Sequence, residues 1–275
     1  MNYINPSRRV LTLCHALVFC LGGLVILPGC NSDGNFDPTD AIGAIIPTPP
    51  TPREAVLMTF DKDDADRRRE GINWLSAAPF GGEENYVGVY RLMWNDPVAS
   101  VRAAAARALG AHGSVEDAAQ LMLLLEDENL YVRWQAARGL RMIHNPAAAA
   151  PLMRLLDDEE ELDSDVRQAA ADALGQYATR DVFNALTRTL EDRNYAVLIA
   201  AHKSLVTLTG YDAGYDPRDW SAWAQDNPET IFRGQQVYTY APYQRPRGWT
   251  DDLLFWRDDE TPEPQRPTGI ELAEG

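Results

Sequence analysis

Nothing constrains this chain more than a nine-residue stretch that it spells repeatedly. Val101-Arg102-Ala103-Ala104-Ala105-Ala106-Arg107-Ala108-Leu109 returns as Val132-Arg133-Trp134-Gln135-Ala136-Ala137-Arg138-Gly139-Leu140, and again as Val166-Arg167-Gln168-Ala169-Ala170-Ala171-Asp172-Ala173-Leu174. A fourth copy, Val197 to Leu205, keeps the apolar and small positions but has Leu198 where the others carry arginine. The leading valines stand 31, 34 and 31 residues apart. Self-similarity at such a period predicts a stacked array rather than a globule. Counting the valine as zero, positions 0, 4 and 8 hold Val, Ala and Leu, and position 7 is Ala or Gly, or Ser204 in the fourth copy. That spacing puts one narrow face of small apolar residues on a helix. Leucines four apart precede each later copy, at Leu121 and Leu125, Leu152 and Leu156, and Leu186 and Leu190, and predict a partner helix. A hairpin of this size cannot bury its own apolar face, so it becomes stable only against its neighbours.

The fuller pattern, Asp-x-x-x-x-Val-Arg-x-x-Ala-Ala-x-Ala-Leu-Gly, stands at Asp96 to Gly110, runs again from Asp127 to Arg141, and lies around Asp163 or Asp165 to Gly175. It resembles the HEAT-like repeat of the phycobilisome lyase type. The resemblance implies an all-α, HEAT-like α-solenoid of about five helical hairpins. It also implies a buried ladder between adjacent units with Asp96, Arg102, Asp127, Arg133 and Arg167 as members, ending where Leu198 replaces arginine. The motif is specific for fold and nearly silent on activity, since such arrays serve as scaffolds, adaptors and a few enzymes.

Residues 1–29 read as a signal outside the fold. Arg8 and Arg9 precede the apolar run from Val10 to Ile26, and Leu27-Pro28-Gly29-Cys30 closes it. This resembles a bacterial lipoprotein signal with a lipobox, which implies lipidation of Cys30 and a membrane attachment through it. The alternative is an uncleaved single-span anchor. Asn31 is not the aspartate associated with inner-membrane retention in enteric bacteria, so the expected place is the outer membrane of the cell envelope, facing the periplasm. Cys14 and Cys20 fall inside the signal, so no disulfide is expected in the mature chain. Removing Arg8 and Arg9 with the signal takes the formal charge from −16 to −18, which excludes nucleic acid as a partner class.

Residues 30–53 form a flexible Pro-rich tether, expected to be disordered. The repeat solenoid is placed at 54–226 and opens with a degenerate unit in which Arg67 and Arg68 align with the Val-Arg pair. Asp96-Pro97 and Asp216-Pro217 read as a capping aspartate followed by a first-turn proline. Seven carboxylates between Asp157 and Asp165 read as a solvated turn. Trp220 and Trp223 suit a lid over the last repeat or, alternatively, a sugar platform. From 227 to 275 the chain is an irregular tail, rich in aromatic residues and proline, that lies along the solenoid or serves as a docking peptide.

Composition leaves a Ser-His-Asp group open, but the local catalytic motifs looked for do not occur. Deoxyhypusine hydroxylase, built from similar repeats, needs His-Glu pairs for iron, whereas His15, His112, His144 and His202 are followed by Ala, Gly, Asn and Lys. There is no Gly-x-Ser-x-Gly elbow and no glycine-rich phosphate loop. The expectation is therefore no enzyme, no metal and no cofactor. Positions 2 and 6 of each copy point outward, and among them Arg107, Trp134 and Arg138 make an aromatic and basic spot suited to a protein or peptide partner. The competing reading has Trp134 leaning sideways to fill the gap at Gly139. Taken together, the sequence points to a lipid-anchored scaffold that binds a protein or peptide at the cell envelope. The alternatives are a lyase-like enzyme subunit and a carbohydrate or cell-wall binding module.

Overall fold

The computed structural model describes residues 49–241 and 263–270. The expected signal, Cys30 and nearly all of the expected tether lie outside the described residues, as do Tyr243 and Trp249 of the tail. Contacts divide the chain between Thr51 and Pro52, and the fold concerns the unit from Pro52 onward.

Eleven α-helices and two short 3₁₀ turns make up its regular structure among the described residues. They are α1 (Pro52–Thr59), α2 (Ala65–Ala77), α3 (Glu84–Met93), α4 (Ala99–His112), α5 (Ala118–Leu124), α6 (Leu130–Met142), α7 (Ala149–Arg154), α8 (Ser164–Leu174), α9 (Arg180–Thr189), α10 (Tyr195–Thr209) and α11 (Pro217–Asp226). Consecutive helices pair into five hairpins, α1/α2 through α9/α10, and α11 packs against α9 at the end. The second helices α2, α4, α6, α8 and α10 stack on one another as a continuous layer, so the described part of this unit is an all-α solenoid.

The repeated motif explains that layer. Positions 0, 4 and 8 are completely buried in all four copies: Val101, Ala105 and Leu109; Val132, Ala136 and Leu140; Val166, Ala170 and Leu174; Val197, Ala201 and Leu205. Small residues between them let neighbouring backbones touch. A Cβ placed on Gly110 would lie 2.5 Å from the Cα of Gly139, so α4 and α6 meet where neither carries a side chain. Leu121, Leu152 and Leu186 in the first helices and Leu125 and Leu190 just past their ends are buried as their spacing predicts, Leu156 beyond α7 is only half-buried, and Tyr90 fills the corresponding place in α3.

Local chemistry sets the helix ends, with two departures from expectation. Helix α1 begins at Pro52 rather than after the tether's expected end at Arg53; proline has no amide to leave unpaired in a first turn. Asp216 caps α11 by accepting from the Arg218 amide at 2.9 Å. Asp96 does not cap α4, which starts from Val98 with no side-chain cap. Its carboxylate accepts from the Val98 amide at 2.8 Å and otherwise faces Arg68 of the preceding unit.

The C-terminal end of the solenoid is closed by the aromatic face of α11. At the C-terminal end Trp220 is fully buried. Its Nε1 donates to the Gly214 carbonyl at 2.7 Å, and its ring meets Phe183 edge-on. Trp223 lies flat on Tyr211, with ring centroids 4.7 Å apart. A sugar platform using both tryptophans is therefore overturned: Trp220 is consumed in covering the last hairpin.

The tail folds back along the ends of the second helices. The Gln236 amide donates to the Thr207 carbonyl at 2.8 Å, and the Tyr238 hydroxyl to the Asp172 carbonyl at 2.8 Å. Tyr240 and Gln265 exchange backbone bonds of 2.8 and 2.9 Å. The Thr268 amide donates to the Met142 carbonyl, and the His144 amide to the Thr268 carbonyl. The described parts of the tail thus run from α10 past α8 to α6, against the order of the repeats.

Candidate functional site

Two arrangements come from the residues singled out in the sequence: a ladder of ion pairs and a groove on the second helices. The ladder is built at the turns that join the two helices of each hairpin. Arg68, Arg102, Arg133 and Arg167 reach into the next unit and donate through Nε to Asp96, Asp127, Glu161 and Asp192 at 2.8, 2.7, 2.5 and 2.8 Å. A second nitrogen, Nη2, bonds the other carboxylate oxygen in each case, so every rung is bidentate. Nη1 turns back to a carbonyl of the arginine's own turn: Asp61, Asp96, Asp127 or Glu161. Each carboxylate also accepts a backbone amide two residues on. One guanidinium therefore fixes two successive turns. The members Asp96, Arg102, Asp127, Arg133 and Arg167 all lie in this ladder, and Leu198 of α10 holds no rung.

Sequence reasoning did not name Arg68 or Asp192 as rung members, and it missed two further features of the ladder. The third rung is taken by Glu161 rather than Asp163 or Asp165, because Asp163 is the N-cap of α8, accepting from the amides of Asp165 and Val166. Glu161 is 3 % exposed while its neighbour Leu162 is 83 % exposed, the reverse of hydropathy. The acidic run is thus not wholly a solvated turn. Arg91 of α3 donates to Asp117 through Nε at 2.6 Å and Nη2 at 2.9 Å, a rung between first helices that the motif does not encode. Its only local signal is Ser114 three residues before Asp117, which form a capping box.

Burial and charge set the protonation of these groups. Burial pushes the Asp127 carboxyl up, but the Arg102 guanidinium and the Asn129 amide more than offset it and hold it below its ordinary 3.8. Asp192 is held low against burial in the same way by Arg167 and the Asn194 amide. Asp172 behaves oppositely: burial raises its carboxyl, and Arg141, 3.8 Å away, offsets only part of that.

The groove lies on the open side of the second helices. Of the outward positions, Ala103, Arg107, Trp134, Arg138, Gln168, Asp172 and Ile199 are half-buried and Lys203 is exposed. A cavity of about 280 Å³ crosses α2, α4 and α6, lined by Asn73, Ala103, Arg107, Tyr131 and Gln135 among others. Arg107 donates to the Asn73 side-chain oxygen in the preceding unit. Arg138 lies 4.7 Å from the centre of the Trp134 ring. The structure therefore pairs Trp134 with Arg138 and gives Arg107 a different neighbour. Trp134 also packs against the core, so part of its area goes to filling space. Among the described residues no group of His, Cys, Asp and Glu is arranged to hold a metal, and no helix is long and apolar enough to cross a membrane.

Comparison with known proteins agrees with this architecture. A family model for HEAT repeats matches residues 90–162. The fold is a HEAT-like solenoid. The structure is similar to the complex of CpcE and CpcF of phycocyanin lyase from Nostoc sp. PCC7120, at 23 % identity and a TM-score of 0.53, over 67 % of this chain and 70 % of that one. It is also similar to YibA of Escherichia coli, at 21 % identity and a TM-score of 0.51, over 83 % of this chain and 82 % of that one. No curated protein sequence matches the chain significantly.

Proposed function

We propose that this protein is a non-enzymatic scaffold whose second-helix face binds a protein or peptide partner, held at the cell envelope through a lipidated Cys30. The observation that carries the binding half is the groove shared by three consecutive units, with Asn73, Arg107 and Gln135 each supplied by a different helix. A ligand laid across it meets side chains whose spacing is already fixed by the ladder, so little ordering entropy is lost on binding. The stacked Trp134–Arg138 pair adds a rigid aromatic and cationic surface on the same helix as Gln135. The anchoring half rests on the sequence Leu27-Pro28-Gly29-Cys30.

A photoreactive residue at Gln135 tests the binding half in native membranes. It should trap a discrete partner that the same residue at Leu92, exposed on the first-helix layer, does not trap. Identical products from both positions would defeat the reading. Metabolic labelling with a fatty-acid analogue tests the anchor, with label lost in Cys30→Ser. Absorbance of protein isolated from its host separates the scaffold from a lyase-like subunit, which would carry pigment.

A further inference from the structure

A cleft larger than the groove lies elsewhere on the described residues. It opens at the ladder edge, between the turns of the third and fourth hairpins, with a volume of about 730 Å³. Its apolar wall includes Leu125, Leu130, Leu155 and Leu162, and Arg133 and Glu161 of the third rung lie at its base. Five of its lining residues are carboxylates, Glu126, Asp127, Glu160, Glu161 and Asp163, against two guanidiniums, Arg133 and Arg154. The cleft is therefore apolar within and negative overall.

Leu162 stands at its mouth, 83 % exposed. Leucine is among the side chains most often buried, and this fold leaves Leu162 in solvent because the rung takes Glu161 in its place. The neighbouring turn repeats the theme, with Tyr195 73 % exposed at the start of α10. Helix layers stack roughly 8–10 Å apart, close to one three-residue turn of a polyproline II chain at about 3.1 Å per residue, which returns every third side chain to the same face.

We infer that this edge is a second binding surface, and that its occupant is a basic, extended segment of a protein partner with an apolar side chain at about every third residue. One apolar side chain enters the cleft between Leu130 and Leu162, and flanking lysines or arginines meet the carboxylates of Glu160 and Asp163, Glu126 being already paired with Arg154 at 2.8 Å. The rungs hold the turns in register, so the anchors are spaced before the partner arrives. This surface is separate from the groove of the second helices, and its failure would leave the groove reading intact.

Fluorescence anisotropy with a labelled peptide repeating Lys-Leu-Lys tests the inference on the folded protein. Leu162→Ser should weaken binding about tenfold, and a peptide repeating Lys-Ser-Lys should bind the unaltered protein about tenfold more weakly than the leucine peptide. Glu160→Gln should weaken the leucine peptide by a smaller factor. Leu92→Ser and Arg138→Ala should leave it unchanged. Both peptides binding alike, or no effect of Leu162→Ser, would reduce the attraction to general acidity and overturn the inference. Loss with Arg138→Ala would move the peptide to the groove and do the same. Self-association abolished by Leu162→Ser in sedimentation would make the occupant a second copy instead, and would also overturn it.

Discussion

The solenoid has two long edges, held by different chemistry. At the edge where first helix turns into second, four bidentate arginine–carboxylate rungs join the units. At the opposite edge the bonds are mostly neutral. His112 Nε2 reaches the Ser76 carbonyl at 2.7 Å, the Gln176 amide donates to the Leu140 carbonyl at 2.9 Å, and Ser204 donates to the Ala171 carbonyl at 2.8 Å. There the tail lays Tyr238 over Gly175, whose missing Cβ would stand 3.1 Å from the ring. The first edge repeats one interaction in each unit. The second uses a different one at each junction, completed by chain from outside the repeats. A repeated charged contact sets register and leaves its turns exposed, whereas a strap adds contact area and covers what it holds.

Breaking the first edge should have the largest effect. Arg102→Ala leaves the carboxylate of Asp127 nearly buried without its guanidinium and should cost about 3–5 kcal/mol in urea unfolding. Arg102→Lys should recover little, because a point charge cannot reproduce a bidentate fork. Next in size is the close approach of α4 and α6, near the strapped edge. Gly110→Ala forces a Cβ against the Gly139 backbone and should cost about 1–3 kcal/mol by the same measurement. A smaller loss, about 1 kcal/mol, is expected for Tyr238→Phe, which removes one hydroxyl bond. Hydrogen exchange should then quicken at the amides of Tyr240, Gln265 and Thr268 with little change at those of α4.

Acid should separate the edges by sign. Asp127 and Asp192 are held below their ordinary value in the folded chain, so their contribution is present above about pH 4 and is lost as pH falls through the folded values. Asp172 is raised, so its protonation favours the folded state as pH falls. Asp172→Asn should accordingly raise stability slightly at neutral pH, with an advantage over the unaltered chain that vanishes in acid. Unfolding midpoints measured across pH check the opposed slopes.

Much of the first edge was legible in the residues themselves. The valine, alanine and leucine of each copy are local and periodic, and they are the fully buried face. Arg102, Arg133 and Arg167 follow at fixed position, and so does their contact with the next turn. Glu161 was not legible. Hydropathy favours burying Leu162, and only the longer turn, together with a guanidinium and the Asp163 amide offered to the carboxylate, makes burial of Glu161 affordable. Of the candidate site, Trp134 and Arg138 lie together as their spacing on one helix implies, whereas the contact of Arg107 with Asn73 joins residues 34 apart. The strap was least visible: Tyr238 and Asp172 are 66 residues apart, and no period relates them.

The sequence alone determined that this chain stacks helical hairpins and where their small faces lie, because a period of 31 to 34 residues and a helical spacing of apolar side chains are properties of the chain before it folds. Tertiary structure alone decided which carboxylate completes each rung, which side chains stay exposed beside it, and where the tail returns. Those outcomes depend on which groups share the cost of leaving water, and that cost is set only when distant residues meet.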